Sequence, residues 1–242
     1  MIVVMKKSNI VLVALILLLV IAIYSLNLGR LAVTGASGGR ELAKVVMLDP
    51  GHGGEDPGAE SPYTGITEKE LNLDIAKKLR QLLEQDGFKV IMTREEDRLE
   101  YEPGTKGYTP KRKQDLLRRK KMMDEAGASI VVSIHMNKIK ETQYYGAQVF
   151  FSPESAESQK LAVCIQKSLK ETVDPNNKRE ALAKKPVKGQ QIIILRDLKT
   201  TTAIVECGFL SNSEEEQKLR DEAYRGKLAA AIKEGIKKYF EQ

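Results

Sequence analysis

The sequence predicts an α/β layered domain with a mostly parallel central sheet flanked by helices, preceded by one amino-terminal transmembrane or signal-anchor helix. Three observations predict it. From residue 44 onward, short apolar runs alternate with stretches of helical spacing, the pattern of strands joined by crossover helices. The chemically distinctive residues sit just past the apolar runs, where open α/β sheets gather their active groups. A long uncharged aliphatic stretch stands apart near the amino terminus.

That stretch comes first in the chain. Residues 8–29 carry no ionisable side chain except Tyr24, and 10–23 are purely aliphatic. Roughly 22 residues make a helix of about 33 Å, against a hydrocarbon core of about 30 Å. Lys6 and Lys7 precede it, which places the amino terminus in the cytoplasm, a membrane as partner of the helix, and the rest of the chain outside. A cleaved signal peptide is the rival reading, although no clean A-x-A site follows the run. Residues 30–43, with Gly35, Gly38 and Gly39 among small side chains, read as a flexible tether. The expected organisation is 1–29 anchor, 30–43 tether and 44–242 a single catalytic domain.

Within that domain, strands are expected at 45–48, 88–92, 130–134, 147–151, 191–195 and 203–205, and helices at 68–85, 110–125, 154–171 and 221–240. The first helix shows the clearest face, with Leu71, Ile75, Leu79, Leu82 and Leu83 aligned. Thr67 and Glu70 form a capping-box pattern at its start.

Composition excludes several classes. With 42% hydrophobic and 30% charged residues the chain can bury a core, and two cysteines cannot build a disulfide framework. The net charge of +6 suggests an anionic partner, but residues before Lys44 hold four basic groups and one acid, so half the excess flanks the anchor. Segment 106–121 has eight basic residues and one acid, Asp115. It lacks interleaved aromatics apart from Tyr108, so nucleic acid is not an expected partner. A solvated basic helix face, with Leu116, Leu117, Met122 and Met123 turned inward, is the plainer reading; attraction to an anionic wall polymer or to membrane headgroups is the alternative.

The chain has two histidines, His52 and His135, each just past an apolar run. His52 lies in Leu48-Asp49-Pro50-Gly51-His52-Gly53-Gly54, and a purely structural turn has no need of three glycines around a histidine. Either histidine alone is an ordinary satisfied side chain. Glu68 opens the first helix, and because the cap takes Glu70 to the backbone, Glu68 is free to point back at the strand ends. Two histidines and a glutamate with an open fourth position recur in catalytic zinc sites. Glu206 follows Ala203-Ile204-Val205, where a carboxylate is costly to bury unless paired or functional, and is a candidate general base. Asp49 and Asp56 are candidate acceptors behind a ligand imidazole. Cys207 adjoins Glu206 but has no basic neighbour to activate it, and spacing does not decide whether it pairs with Cys164.

Through LDPGHGGEDPGA, ITEKELNLDIAKKL, VIMTREED, SIVVSIHMN and AIVECGFLSN, spread in order over 45–240, the chain resembles the zinc-dependent N-acetylmuramoyl-L-alanine amidases of the amidase 3 type. The resemblance implies one Zn²⁺ on His52, Glu68 and His135, with Glu206 catalytic. It places Arg119 and Arg196 on commonly basic positions, with a substrate-binding role. It implies hydrolysis of the amide between the lactyl group of N-acetylmuramic acid and L-alanine, and hence a peptidoglycan partner outside the cytoplasm. A zinc-dependent wall peptidase and a non-catalytic wall-binding module are the alternatives. The anchor, the segment 104–108 followed by basic residues, and the lack of an added wall-binding module are similar to the germination-specific branch of endospore formers, which acts on cortex on the way to muramic lactam. The sequence identifies no accessory protein. Lys138 and Thr201 depart from the family pattern, which bears on loop shape and substrate trimming.

Overall fold

A computed structural model describes residues 44–184, Leu195 and 199–242. The expected anchor and tether lie outside these residues, as do Arg196 and all but the last residue of the expected strand 191–195. Among the described residues, no helix is long and apolar enough to cross a membrane.

Among the described residues six strands form one sheet: β1 (Val45–Pro50), β2 (Lys89–Met92), β3 (Ile130–Asn137), β4 (Gln148–Phe151), β5 (Leu182–Ala183) and β6 (Thr201–Phe209), in the order β2-β1-β3-β6-β4-β5. The interiors of β1, β3 and β6 are near-continuous apolar runs, as strands covered on both faces require. The sheet is mixed. β1 runs parallel to β2 and β3, β3 to β6 and β4 to β5, whereas β4 is antiparallel to β6. The reversal follows from the link between β3 and β4, residues 138–147, which holds no helix and is too short for a parallel crossover.

Five helices among the described residues cover the sheet: α1 (Glu68–Gln85), α2 (Tyr108–Glu125), α3 (Ala156–Thr172), α4 (Ser213–Arg220) and α5 (Glu222–Phe240). Strand side chains alternate between faces, so Val46 and Leu48 join Leu71, Ile75 and Leu79 of α1, Ile165 of α3 and Ile232 of α5 in the larger core. Each fully buried leucine or isoleucine there contributes about 1.5–3 kcal/mol. Met47, Val131 and Ile204 point the other way, against Met123 of α2 and Leu195. The short β5 and the polar helix α4 were not expected from the sequence.

Parallel alignment puts the carboxyl ends of β1, β3 and β6 on one edge of the sheet. Pro50 pairs with Ile134, and His135 with Glu206. A bulge between His135 and Asn137 disturbs the ladder at that edge, a device that re-aims side chains beside functional sites.

Candidate active site

The chain leaves β1 in a turn where His52 has φ of 62°, the one positive value at a non-glycine among the described residues. Two glycines make room for what converges on it. A Cβ on Gly51 would lie 2.2 Å from Cε1 of His135. One on Gly58, whose φ is +69°, would lie 2.6 Å from Oε2 of Glu68 and 2.7 Å from Cδ2 of His52. These close approaches, more than the turn itself, are what demand glycine.

Glu68 is the first residue of α1 and is almost fully buried. Thr67 and Glu70 form the capping box, so the Glu70 carboxylate takes the backbone role while Glu68 turns toward the sheet edge. Its Oε2 accepts from the Ala59 amide at 2.8 Å, and Oε1 accepts from the Met136 amide at 3.0 Å. The same Oε1 lies 2.9 Å from Nδ1 of His135 and 3.3 Å from Nε2 of His52. On its other side His52 places Nδ1 2.9 Å from Oδ2 of Asp56, the position expected of an acceptor behind an imidazole. Asp56 in turn accepts from Tyr108 Oη at 2.8 Å and Arg112 Nε at 3.0 Å. Burial alone would lower the His52 pKa, but the Asp56 and Glu68 carboxylates outweigh it and hold it at about 9. Against the opposing effect of burial, the histidines hold Glu68, and His52, Tyr108 and Arg112 hold Asp56, well below the usual carboxylate range.

The donor atoms of His52, Glu68 and His135 lie within 4.8 Å of one another. Two ligand atoms each about 2.0–2.1 Å from a tetrahedral zinc are about 3.3 Å apart. The 3.3 Å separation matches that spacing, the 2.9 Å one is about 0.4 Å shorter, and the donor set of two imidazoles and a carboxylate suits zinc.

Glu206 stands beside His135 on the next strand. Its Oε1 is 3.6 Å from Nζ of Lys184, whereas Oε2 is buried without a hydrogen-bond partner among the described residues. Burial raises its pKa despite His135 and Lys184, which suits a carboxylate that takes up a proton. Cys207, next in the strand, is fully buried, and burial pushes its thiol pKa up; it is no nucleophile. Cys207 and Cys164 are both free.

Two expectations need correction. Arg119 does not face the site: only 1% exposed, it bonds Asp49, Asp115 and the carbonyls of Pro50 and His52 inside the protein. Four of its five donors are taken inside the protein, and its burial keeps it from a substrate. Asp49 touches neither imidazole; it accepts from Thr93, Ser133 and Arg119, and so braces the His52 turn indirectly. Lys184, Arg94 and Asn72 were missed. The first follows a two-residue strand with no sequence signature, and the others look like ordinary loop and helix residues until their partners are seen.

A mixed α/β sheet with this group at its strand ends is the architecture of a family, and the comparison is direct. Residues 46–238 match the N-acetylmuramoyl-L-alanine amidase family, and the chain belongs to it. It is 38% identical over 197 residues to the germination-specific N-acetylmuramoyl-L-alanine amidase of Bacillus subtilis, covering 81% of this chain and 80% of that one. It also superposes on the CwlD amidase of Clostridioides difficile, solved in complex with the GerS lipoprotein, with a TM-score of 0.77, 40% identity and coverage of 82% and 98%. An N-acetylmuramoyl-L-alanine amidase from Clostridium difficile 630 gives a TM-score of 0.70 at 30% identity, covering 83% and 98%.

Proposed function

We propose that this amidase hydrolyses the bond between the lactyl carbonyl of N-acetylmuramic acid and the amine of L-alanine in peptidoglycan, using zinc held by His52, Glu68 and His135. The observation that carries the reading is the convergence of those three side chains at the strand ends beside the buried, half-unpaired Glu206. Bound there, zinc supplies Lewis acidity to the scissile carbonyl and to the attacking water. Glu206 accepts a proton from that water and delivers it to the leaving alanine nitrogen, which restores the carboxylate. Asp56 fixes the ring orientation of His52 from behind.

The likeness to the germination-specific enzyme supports spore cortex as the substrate and germination as the setting. The aliphatic segment 10–23 supports an anchored catalytic domain outside the cytoplasm. The neighbour solved with the GerS lipoprotein supports an accessory lipoprotein partner at the same membrane surface. Mass spectrometry of digested peptidoglycan tests the bond assignment. Stem peptides with a free amino-terminal alanine are expected, and cleavage only between amino acids would establish the peptidase alternative instead. Loss of muramic lactam from the cortex of a deletion strain tests the setting.

A further inference from the structure

We propose that Arg94 and Asn72 are positioning residues of the metal site, which set the separation between the turn carrying His52 and the helix carrying Glu68. The inference rests on the reading of His52, Glu68 and His135 as ligands. Arg94 follows β2 and is 1% exposed. Its Nε donates to Pro50 O at 2.9 Å, and its Nη1 donates to Glu96 O at 3.0 Å. Nη2 bridges two elements, donating to Gly51 O at 3.0 Å and to Lys69 O at 2.9 Å. Gly51 precedes His52 and Lys69 follows Glu68, so one nitrogen ties together the backbones next to two ligands. Asn72 repeats the tie from α1. Its Nδ2 donates to Gly51 O at 3.1 Å and lies 3.4 Å from Oε1 of Glu68.

Both residues are poor choices for stability alone. Among the described residues Arg94 has no ion pair: its buried guanidinium hydrogen-bonds only carbonyls, Asp49, Asp97 and Asp115 act on it from farther off, and burial, with Arg119, lowers its pKa to about 10. Asn72 is fully buried, and its Oδ1 has no hydrogen-bond partner among the described residues. The amide cannot be turned to relieve this, because both groups near Nδ2 are acceptors. An aliphatic side chain would fill that helix position without an orphaned oxygen. Arg119 differs: it is ion-paired and holds the His52 turn against α2, with no bond to α1. Lysine at position 94 would keep the charge but lose the fork that reaches several carbonyls at once.

The test uses the full chain with R94K, N72A and, as a control that ties α1 without touching the neighbours of a ligand, R225K, whose arginine binds Asp74 of α1 and the carbonyls of Leu219 and Arg220. Zinc affinity is measured by chelator competition, site geometry by the visible spectrum of the cobalt-substituted protein, and stability by thermal unfolding in EDTA. R94K and N72A are expected to bind zinc about 10–100-fold more weakly and to shift the cobalt spectrum. R225K is expected to lose stability with affinity and spectrum unchanged. Wild-type zinc affinity and spectrum in N72A, or in a folded R94K, overturn the proposal. If R94K does not fold, N72A decides, since alanine favours the helix and removes the orphaned oxygen. A wild-type chain that binds neither metal overturns the ligand reading first and this inference with it.

Discussion

Replacing Gly51 with alanine tests the metal site while leaving every proposed ligand in place. Gly51 lacks the positive φ that would itself penalise alanine, so the perturbation is one methyl group. That methyl would stand 2.2 Å from Cε1, 2.3 Å from Nε2 and 2.7 Å from Nδ1 of His135, against an ordinary contact that begins at 3.4 Å. The imidazole must therefore retreat by about 1.2 Å, several times the ~0.2 Å over which metal–ligand distances vary. A displacement near 1 Å costs about 10²-fold in rate where geometry governs the chemistry, and here it also removes a ligand. The fold is expected to lose only about 1–3 kcal/mol, the usual range for overpacking, because a side chain at the sheet edge can swing.

Zinc per chain, release of stem peptides and the unfolding midpoint in EDTA are the three readouts. Gly226→Ala in α5 is the control, since nothing lies within 4 Å of its added Cβ. It is expected to bind zinc and turn over normally, with a gain of about 0.5–1 kcal/mol from relief of helical glycine. Full zinc content and undiminished turnover in Gly51→Ala would refute the reasoning, because His135 would then be dispensable to the metal or not where the structure puts it.

Glu206→Gln is expected to keep one zinc per chain while losing about 10²–10⁴-fold in turnover, the usual worth of a general base; an active variant would sink that role. Arg119→Met leaves Asp49 buried without its cation and Asp115 with Arg118 alone, and is expected to cost about 3–5 kcal/mol in urea unfolding, with a much smaller loss contradicting the packing described. The metal-free protein should be most stable between about pH 5 and 6.5. The lowered pKa values of Glu68 and Asp56 give stability that is present above 4.5 and 3.8, their ordinary values, and is lost as acid protonates the folded groups. The raised His52 gives stability that is complete below 6.5 and fades as pH rises through about 9. The His52 contribution is on the order of 3 kcal/mol. Unfolding midpoints in EDTA from pH 3 to 10 would test this, and a flat alkaline limb would contradict it.

The site was legible where one residue type announced itself. Two histidines at the ends of apolar runs, glycines beside one of them and a capping box that frees Glu68 all survive as geometry. What stayed hidden depends on partners distant in sequence. Helix α4 carries three consecutive glutamates and shows no apolar stripe, yet Glu215 and Glu216 are buried. Glu215 accepts from the amides of Gly146 and Phe209 at 2.9 and 3.0 Å, and Glu216 accepts from Ser61 Oγ at 3.1 Å and from Thr64. An acidic run that reads as solvated surface is thus a clamp on the loops around the site. The reversed strand β4 was hidden for a different reason: periodicity reports that a strand exists, whereas its direction is set by the length of the preceding link.

The basic segment shows the same limit on the scale of charge. As a string, 106–121 is a concentrated cation, and an anionic polymer is the natural partner to imagine. In the fold Lys111 reaches Glu55, Arg112 reaches Asp56, Arg118 reaches Glu100, Arg119 reaches Asp49, and Lys120 and Lys121 reach Asp124 and Glu125. Pairs at such distances cancel most of the field that a distant polyanion would feel. Two of these partners, Glu55 and Asp56, sit on the loop that carries His52, and one chain of contacts runs inward from α2 through Arg112 and Asp56 to His52. Removing Arg112 is accordingly expected to loosen Asp56 and, through it, the His52 imidazole.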